Sequence, residues 1–447
     1  MINKIRYIDR SNLILFTTLY LGFVFLQLYL GDDSAESFVS VYGFIHIVLL
    51  TAFLGAFYIC LNSTKEASLV IIFFYQFVLT LGLYFFYMFY YNDPFGPNPT
   101  DEIWYHSTAL LSQSMTLPDM IRYVISVHGE GDIGFSFVLK YIYLLPGDDI
   151  FNMKVINVGF HMGATLLLYK VSQGLRMRTQ TSKLLLIIFG LNPIAVYFNA
   201  SGRKETVFIF VMVVALYFIY KAIRKHEIKY YVFAFVAILV TGLFRIPFPM
   251  MLLFSLFVYV FLAAGGKYKT VMRLALFLAV PILMGLIYFV FQEEINSIFS
   301  LNLAALAASR LGGEGSPSMV QYVILLISGV IGPIPSFNYA TTLDSQMLQT
   351  VGNYVKIMLS GFFVLGVIRI LKEKKKEYYP LIIFVGCNII MITVVAATLD
   401  HRYHYPALPF YFIVMALGFE YKIKLKKIKY WLYLGFVLLL ILGYNLR

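Results

Sequence analysis

Residues 68–91 read SLVIIFFYQFVLTLGLYFFYMFYY, and the whole stretch lacks a charged side chain. A helix that crosses a bilayer needs about 20 consecutive apolar residues. The chain as a whole is 60% hydrophobic and only 13% charged, whereas a soluble domain carries about 25% charged residues. A chain this apolar suits lipid better than water, so we expect an all-α, polytopic integral membrane protein.

Similar apolar stretches recur along the 447 residues. Besides 68–91, we predict membrane spans at 11–31, 38–62, 151–172, 184–199, 206–223, 230–244, 247–264, 271–291, 352–371, 379–399, 405–420 and 429–446. Two further apolar stretches, 133–145 and 320–335, are weaker.

The net charge of +12 is concentrated in short basic runs between the apolar stretches. These runs are RMRTQTSK at 176–183, KAIRKHEIK at 221–229, GGKYK at 265–269, KEKKKE at 372–377 and KIKLKKIK at 422–429. Basic loops of this kind are typical of the cytoplasmic side of a membrane protein. The charge therefore indicates topology and does not predict a nucleic-acid partner.

Loop charge also decides the two weak stretches. If 133–145 and 320–335 crossed the membrane, basic runs that follow them would face outward, against the positive-inside rule. We therefore predict about 13 transmembrane helices, within a range of 11–15, and expect both weak stretches to form interfacial helices on the outer face. The chain is read as one transmembrane domain, 1–447, with large outer-face regions at 92–150 and 292–351.

The first outer-face region contains NDPFGPNPTDEIWYHSTALL at 92–111. Its prolines end the preceding helix, and Thr100 is predicted to cap a new helix with Asp101 and Glu102 in its first turn. Tyr105 and His106 follow one turn later and are candidates for binding the substrate or its phosphate. The two carboxylates either only stabilise a helix N-terminus or serve as a general base, and the spacing leaves both readings open.

Isolated cations mark the remaining outer loops. Arg203 and Lys204 begin a span, where two adjacent cations either bind a phosphate or anchor the helix at the interface. Arg245, in LFRIPFP, has no carboxylate close to it in the sequence, which makes it a candidate functional residue. Arg122, His128, Glu130 and Asp132, and likewise Glu293, Glu294 and Arg310, are expected to be solvated loop residues.

The late turn LDHRYHYPALP combines Arg402 with Asp400, His401 and His404. We expect Arg402 to bind phosphate, with the two histidines as further ligand candidates. Histidines and a carboxylate are also metal ligands, but this spacing on a short turn is weak support for a metal site. No metal ligand is assigned, and a divalent metal stays an open alternative.

The order of these motifs resembles the C superfamily of membrane glycosyltransferases, the GT-C fold. The motifs are the Asp101–Glu102 loop, a surface-lying apolar stretch, the Asn192–Pro193 helix, a span opening with Arg-Lys-Glu, an Arg-Ile-Pro turn and a late Arg-Tyr-x-x-Pro turn. The resemblance covers roughly 90–250 and 400–409. In that family the acidic loop usually follows the first span, whereas here it follows the third.

The resemblance implies a glycosyltransferase of the mannosyltransferase or aminoarabinose-transferase type that uses a polyprenyl-phosphate or polyprenyl-diphosphate sugar. It implies Asp101 as first choice for the base, or for a ligand of metal or acceptor, with Glu102 beside it. It also implies surface-lying helices at 101–127 and 133–145. The expected acceptor is a glycan or lipid, and the expected location is a bacterial cytoplasmic membrane with the active site facing outward.

Two other functions stay open. Surface polysaccharide polymerases of the O-antigen type also handle polyprenyl-diphosphate glycans and also need outer-face arginines. A lipid-linked glycan transporter or flippase would instead require ionisable groups at mid-membrane and discontinuous helices. The acidic start of the helix at Asp101 favours the transferase.

Overall fold

A computed structural model describes residues 36–96, 99–128, 132–144, 147, 149–263, 318–334, 344–395, 397–398, 400–420 and 427–445, and isolated positions 17–19, 21–22, 270, 273–274, 285, 288 and 292. Most of the predicted spans 11–31 and 271–291 and most of the 292–351 region lie outside the described residues, as do Glu130, Glu293, Glu294 and Arg310.

The described part of the chain is helical and contains no strand. Its helices are α1 Glu36–Asn62, α2 Lys65–Phe86, α3 Asp101–Ser112, α4 Leu117–His128, α5 Ile133–Leu144, α6 Ile150–Gly174, α7 Thr179–Gly190, α8 Pro193–Ser201, α9 Glu205–Lys225, α10 Ile228–Gly242, α11 Pro247–Ala263, α12 Met319–Ile331, α13 Asp344–Lys372, α14 Tyr379–Val394, α15 His401–His404, α16 Leu408–Glu420 and α17 Lys427–Asn445. A π-helical turn, Tyr87–Tyr91, extends α2.

Six helical segments of the described chain are long and apolar enough to cross a membrane. They are Gly43–Asn62, Lys65–Tyr91, Thr179–Ser201, Glu205–Lys225, Gln349–Lys372 and Lys376–Val394. These helices support the prediction of an all-α membrane protein with several spans.

The first weak apolar stretch forms α5, which has 12 residues, and the second forms α12, which has 13. At 1.5 Å per residue each is about 18–20 Å long, whereas the hydrocarbon core of a bilayer is about 30 Å thick. Neither helix is long enough to cross a membrane upright.

The segment Thr179–Ser201 is interrupted, because Pro193 cannot donate a hydrogen bond to the preceding turn. The Asn192 side chain caps α8 by accepting a hydrogen bond from the Ile194 amide at 3.1 Å. The carbonyl of Gly190, freed at the break, accepts from Gln76 Nε2 at 2.7 Å and lies 3.1 Å from His161 Nε2. Side chains therefore replace the missing backbone hydrogen bonds.

Helix α16 lies in the centre of the bundle and is buried along Leu408–Phe419. It packs very closely on α13, since a Cβ atom added at Gly418 would lie 2.0 Å from the carbonyl oxygen of Phe362. Small residues allow such close approach of membrane helices. The turn at 400–407, which carries Arg402, leads directly into this rigid central helix.

Candidate functional site

A cavity of about 370 Å³ opens at one end of the helix bundle. This end is opposite the basic run 221–229, because α9 begins at Glu205, next to the lining residue Lys204, and ends at Lys225 within that run. Segments that are far apart in sequence meet here. The lining residues are Thr100, Asp101, Trp104, Tyr105, Asp132, Lys204, Arg245, Arg402 and Tyr403.

Asp101 and Arg402 both line this cavity and are in direct contact. Arg402 Nη1 donates to Asp101 Oδ2 at 3.0 Å, and the side chain of Asp101 is 48% exposed. Asp400 holds the turn from the other side, since its Oδ1 accepts from the Arg402 amide at 2.9 Å and its Oδ2 lies 3.5 Å from Arg402 Nε. The guanidinium is therefore shared between two carboxylates, and Asp101 keeps one side open to solvent.

Lys204 forms an ion pair with Asp132, which also accepts a hydrogen bond from the Tyr105 hydroxyl at 2.7 Å. Burial and the nearby Arg245 charge lower the pKa of Lys204. Burial and the Asp132 charge raise the pKa of Tyr105 well above its ordinary value. Tyr105 is therefore a neutral hydrogen-bond donor at physiological pH.

Arg245 forms an ion pair with Glu205 at 3.1 Å and lies over the ring of Tyr403, 5.0 Å from its centroid. Its Nε–H has no hydrogen-bond partner among the described residues. The turn is held in place by the Gly134 amide, which donates to the Leu243 carbonyl at 2.8 Å. Arg245 thus has a carboxylate partner from α9 that its local sequence did not suggest.

The adjacent residues Arg203 and Lys204 have different surroundings. Gly202 precedes them with φ of +75°, and a Cβ atom there would lie 2.1 Å from Met153 Cε. Glycine is the residue that adopts this backbone conformation without strain. Lys204 lines the cavity, whereas Arg203 forms a buried ion pair with Glu102 and lies 5.6 Å from the Tyr197 ring centroid.

Glu102 is only 1% exposed and is not part of the cavity lining. Its Oε2 accepts from the Thr100 amide at 3.2 Å, and the Thr100 side chain forms no capping hydrogen bond. Thr100 occupies the N-cap position of α3, as predicted, but its side chain makes no capping hydrogen bond, so the capping contact itself is not formed. Glu102 is placed to neutralise Arg203, and among the two adjacent carboxylates only Asp101 lines the cavity.

The three predicted histidines do not line the cavity. His106 Nδ1 lies 2.8 Å from the Tyr143 hydroxyl. His401 and His404 are buried, each 3% exposed, and contact Asn353 and Lys356 of α13. The structure therefore does not bring the histidines together with Arg402 as ligands of one anion.

No family model, curated protein or solved structure matches this chain. Any function proposed for the chain therefore rests on the residues of the cavity. Within the described residues no three His, Cys, Asp or Glu side chains cluster as a metal site. Asp101 and Asp132 are the carboxylates of the lining that a divalent cation could use.

Sequence reasoning missed four contributors to the site: Asp132, Trp104, Tyr403 and Glu205. Asp132 was expected to be a solvated loop residue, which is wrong, since its side chain is 22% exposed and is bonded to Lys204. Its position directly before the apolar stretch 133–145 was the available signal. Trp104 and Tyr403 adjoin predicted site residues, and Glu205 completes the Arg-Lys-Glu motif.

Proposed function

We propose that the chain is a membrane glycosyltransferase that moves a sugar from a polyprenyl-phosphate-linked donor to a glycan or lipid acceptor. The observation that carries the proposal is the composition of the cavity. A half-exposed carboxylate, Asp101, shares about 370 Å³ with the cations Lys204, Arg245 and Arg402. A base and several cations are the groups that transfer from a sugar phosphate requires.

In the proposed reaction an acceptor hydroxyl attacks the anomeric carbon of the donor sugar. Its oxygen forms the new glycosidic bond, and Asp101 takes the hydroxyl proton. The bond between the anomeric carbon and the phosphate oxygen breaks, and its electron pair stays with the lipid phosphate. Lys204, Arg245 and Arg402 stabilise the negative charge on this leaving group, the effect expected of fixed cations in a partly dehydrated site.

Each of these cations already has a carboxylate partner: Lys204 pairs with Asp132, Arg245 with Glu205 and Arg402 with Asp101. A phosphate that takes the Nη1–H of Arg402 competes with Asp101 for this donor. Release of Asp101 frees its oxygens for the acceptor hydroxyl. Donor binding and exposure of the base are thus linked in this proposal.

The size of the cavity favours a monosaccharide donor over an oligosaccharide repeat unit. Ligand pockets in proteins span about 300–1,000 Å³, and this cavity of about 370 Å³ lies at the small end. One sugar ring and a phosphate suit this space better than the glycan chains that a surface polysaccharide polymerase joins. Trp104 and Tyr403 in the lining supply aromatic faces for a sugar ring.

The proposal also includes a membrane topology. We place the basic runs in the cytoplasm and the cavity at the outer face of a bacterial cytoplasmic membrane. The chain then has about 13 spans, with α3, α4 and α5 lying along the outer face. Their lengths of 12 residues each support this placement, since helices of about 18 Å do not cross a bilayer.

A transporter or flippase for lipid-linked glycans is the second candidate, and the break between α7 and α8 favours it. Discontinuous helices frequently mark binding sites in transporters. Here, however, Gln76 and His161 already contact the freed Gly190 carbonyl. The Gly190 carbonyl at the break is therefore already occupied by protein side chains and is not available to a transported ligand.

The test is transfer of a labelled sugar from a polyprenyl-phosphate donor by the protein in nanodiscs, with membrane lipid and glycan extract as acceptor. We expect Asp101→Asn to abolish transfer. The matched control is Asp119→Asn, since Asp119 also pairs with an arginine, Arg122, at 2.7 Å but lies outside the cavity lining. This control should keep wild-type transfer.

Full activity of Asp101→Asn would remove Asp101 as the base. Chain extension from diphosphate-linked oligosaccharides, without transfer from monosaccharide donors, would support the polymerase. Movement of lipid-linked glycan across the membrane without transfer would support the flippase.

A further inference from the structure

A buried lysine lies directly behind the turn that carries Arg402. Lys356 of α13 is 3% exposed, and among the described residues it forms no ion pair with a carboxylate. A cation buried within a membrane-spanning helix is costly and usually functional. The candidate site described above does not include Lys356.

The ammonium group of Lys356 is fully hydrogen-bonded. It has three N–H donors, and its three acceptors are His404 Nδ1 at 2.8 Å, the Gly329 carbonyl at 3.3 Å and the Gly332 carbonyl. The two glycine carbonyls belong to the end of α12. Lys356 therefore links three parts of the chain, namely α12, α13 and the turn at 401–404.

The hydrogen bonds of His404 fix the state of its ring. Its Nε2–H donates to the Thr398 carbonyl at 2.8 Å, which leaves Nδ1 as the acceptor for Lys356. Burial and the Lys356 charge hold the pKa of His404 well below its ordinary value. A neutral ring of one tautomer therefore joins Lys356 to the turn.

The two sides of this turn have different surroundings. His401 and His404 are buried toward α13, where Asn353 and Lys356 contact them. Arg402 and Tyr403 line the cavity on the other side. Since Arg402 and His404 belong to the same short helical turn, His401–His404, a shift of its buried side also shifts Arg402.

We infer that Lys356 and His404 are positioning residues that hold Arg402 in the orientation required to bind the donor phosphate. The inference rests on the proposed function. It concerns how the site is held and adds no group that touches the substrate.

Lys356→Met removes the cation and keeps the length of the side chain. We expect donor kcat/KM to fall about 10- to 100-fold, since a misplacement of about 1 Å away from the chemistry can cost about 10²-fold. His404→Leu should have a similar effect. His404→Asn should recover most of the activity, because its amide oxygen can accept from Lys356 in place of Nδ1.

Lys183→Met is the matched control, since Lys183 is a partly buried lysine that also binds backbone carbonyls, those of Leu61 and Ser63, but belongs to the basic run 176–183 and lies outside the cavity lining. Its donor kcat/KM should stay within about twofold of wild type, because the substitution lies away from the cavity.

A double-variant cycle decides whether Lys356 acts through Arg402. In an Arg402→Gln background, Lys356→Met should cause no further loss, because residues that act as one unit are not additive. Losses that multiply would overturn the inference. Equal losses in His404→Asn and His404→Leu would do the same.

Hydrogen exchange across 397–407, measured without substrate, keeps the inference separate from the proposed function. Exchange should be faster in Lys356→Met and unchanged in Lys183→Met. If wild type transfers no sugar, the proposed function fails while this measurement still decides whether Lys356 holds the turn. Unchanged exchange in Lys356→Met would overturn the inference even in an active enzyme.

Discussion

Arg402 donates a hydrogen bond to Asp101 at 3.0 Å although 301 positions separate the two residues in the chain. The pair joins the first turn of α3 to the turn before the central helix α16. It closes the wall of a cavity whose other cations, Lys204 and Arg245, are also paired with carboxylates. In the proposed function, a donor phosphate therefore binds cations that are already paired with carboxylates of the protein.

The first prediction concerns the guanidinium of Arg402. Arg402→Gln should raise the KM for a polyprenyl-phosphate sugar, because the donor phosphate loses a ligand. Arg402→Lys should recover only part of the loss, since lysine cannot form two parallel hydrogen bonds to a phosphate. Initial rates at varied donor concentration measure the effect. The control is Arg122→Gln, whose side chain is exposed on α4, and an equal rise in its KM would contradict the assignment.

The second prediction separates the two adjacent carboxylates. Glu102→Gln leaves Arg203 buried without its counter-charge, and loss of one partner from a buried ion pair costs about 3–5 kcal/mol. Asp101→Asn breaks a pair that solvent reaches, which is worth at most about 1 kcal/mol. Thermal unfolding in one detergent should therefore show a much lower midpoint for Glu102→Gln than for Asp101→Asn. Equal midpoints would refute the structural role of Glu102.

Part of the helix pattern could be predicted from sequence, because the length of an apolar stretch sets the length of a membrane helix. The predicted spans 230–244, 247–264 and 429–446 instead contain shorter apolar helices. The predicted span 151–172 lies within α6, Ile150–Gly174, and the span 206–223 lies within α9, Glu205–Lys225. The break at Asn192–Pro193 also has a local cause. These features depend on neighbouring residues, which the sequence shows directly.

The partners of the site residues could not be predicted in this way. Lys204 meets Asp132 across 72 positions, and Arg245 meets Glu205 across 40. Their pairing depends on how whole helices pack. The same holds for His401 and His404, which share a turn with Arg402 but are buried on its other side.

The third prediction concerns pH. Since burial and Arg245 lower the pKa of Lys204 from its ordinary value of 10.5, Lys204 loses its charge at a lower pH than an exposed lysine. Affinity for polyprenyl phosphate should therefore be full below this lowered pKa and should fall as the pH rises through it. Lys204→Arg should move the fall to higher pH, because arginine stays charged. An unchanged profile in this variant would assign the titration to another group.

The last prediction concerns the fluorescence of Trp104. Of the two tryptophans in the chain, Trp104 and Trp431, only Trp104 lines the cavity. In a Trp431→Phe background, titration with polyprenyl phosphate in nanodiscs should change the emission of Trp104, because a lipid phosphate in the cavity alters the polarity around the indole. In a Trp104→Phe background, Trp431 should give no saturable change.

Arg402→Gln should shift the Trp104 titration to higher lipid concentration, since the phosphate loses one of its proposed ligands. A saturable response from Trp431, with none from Trp104, would place the lipid phosphate outside this cavity and remove Lys204, Arg245 and Arg402 as its ligands.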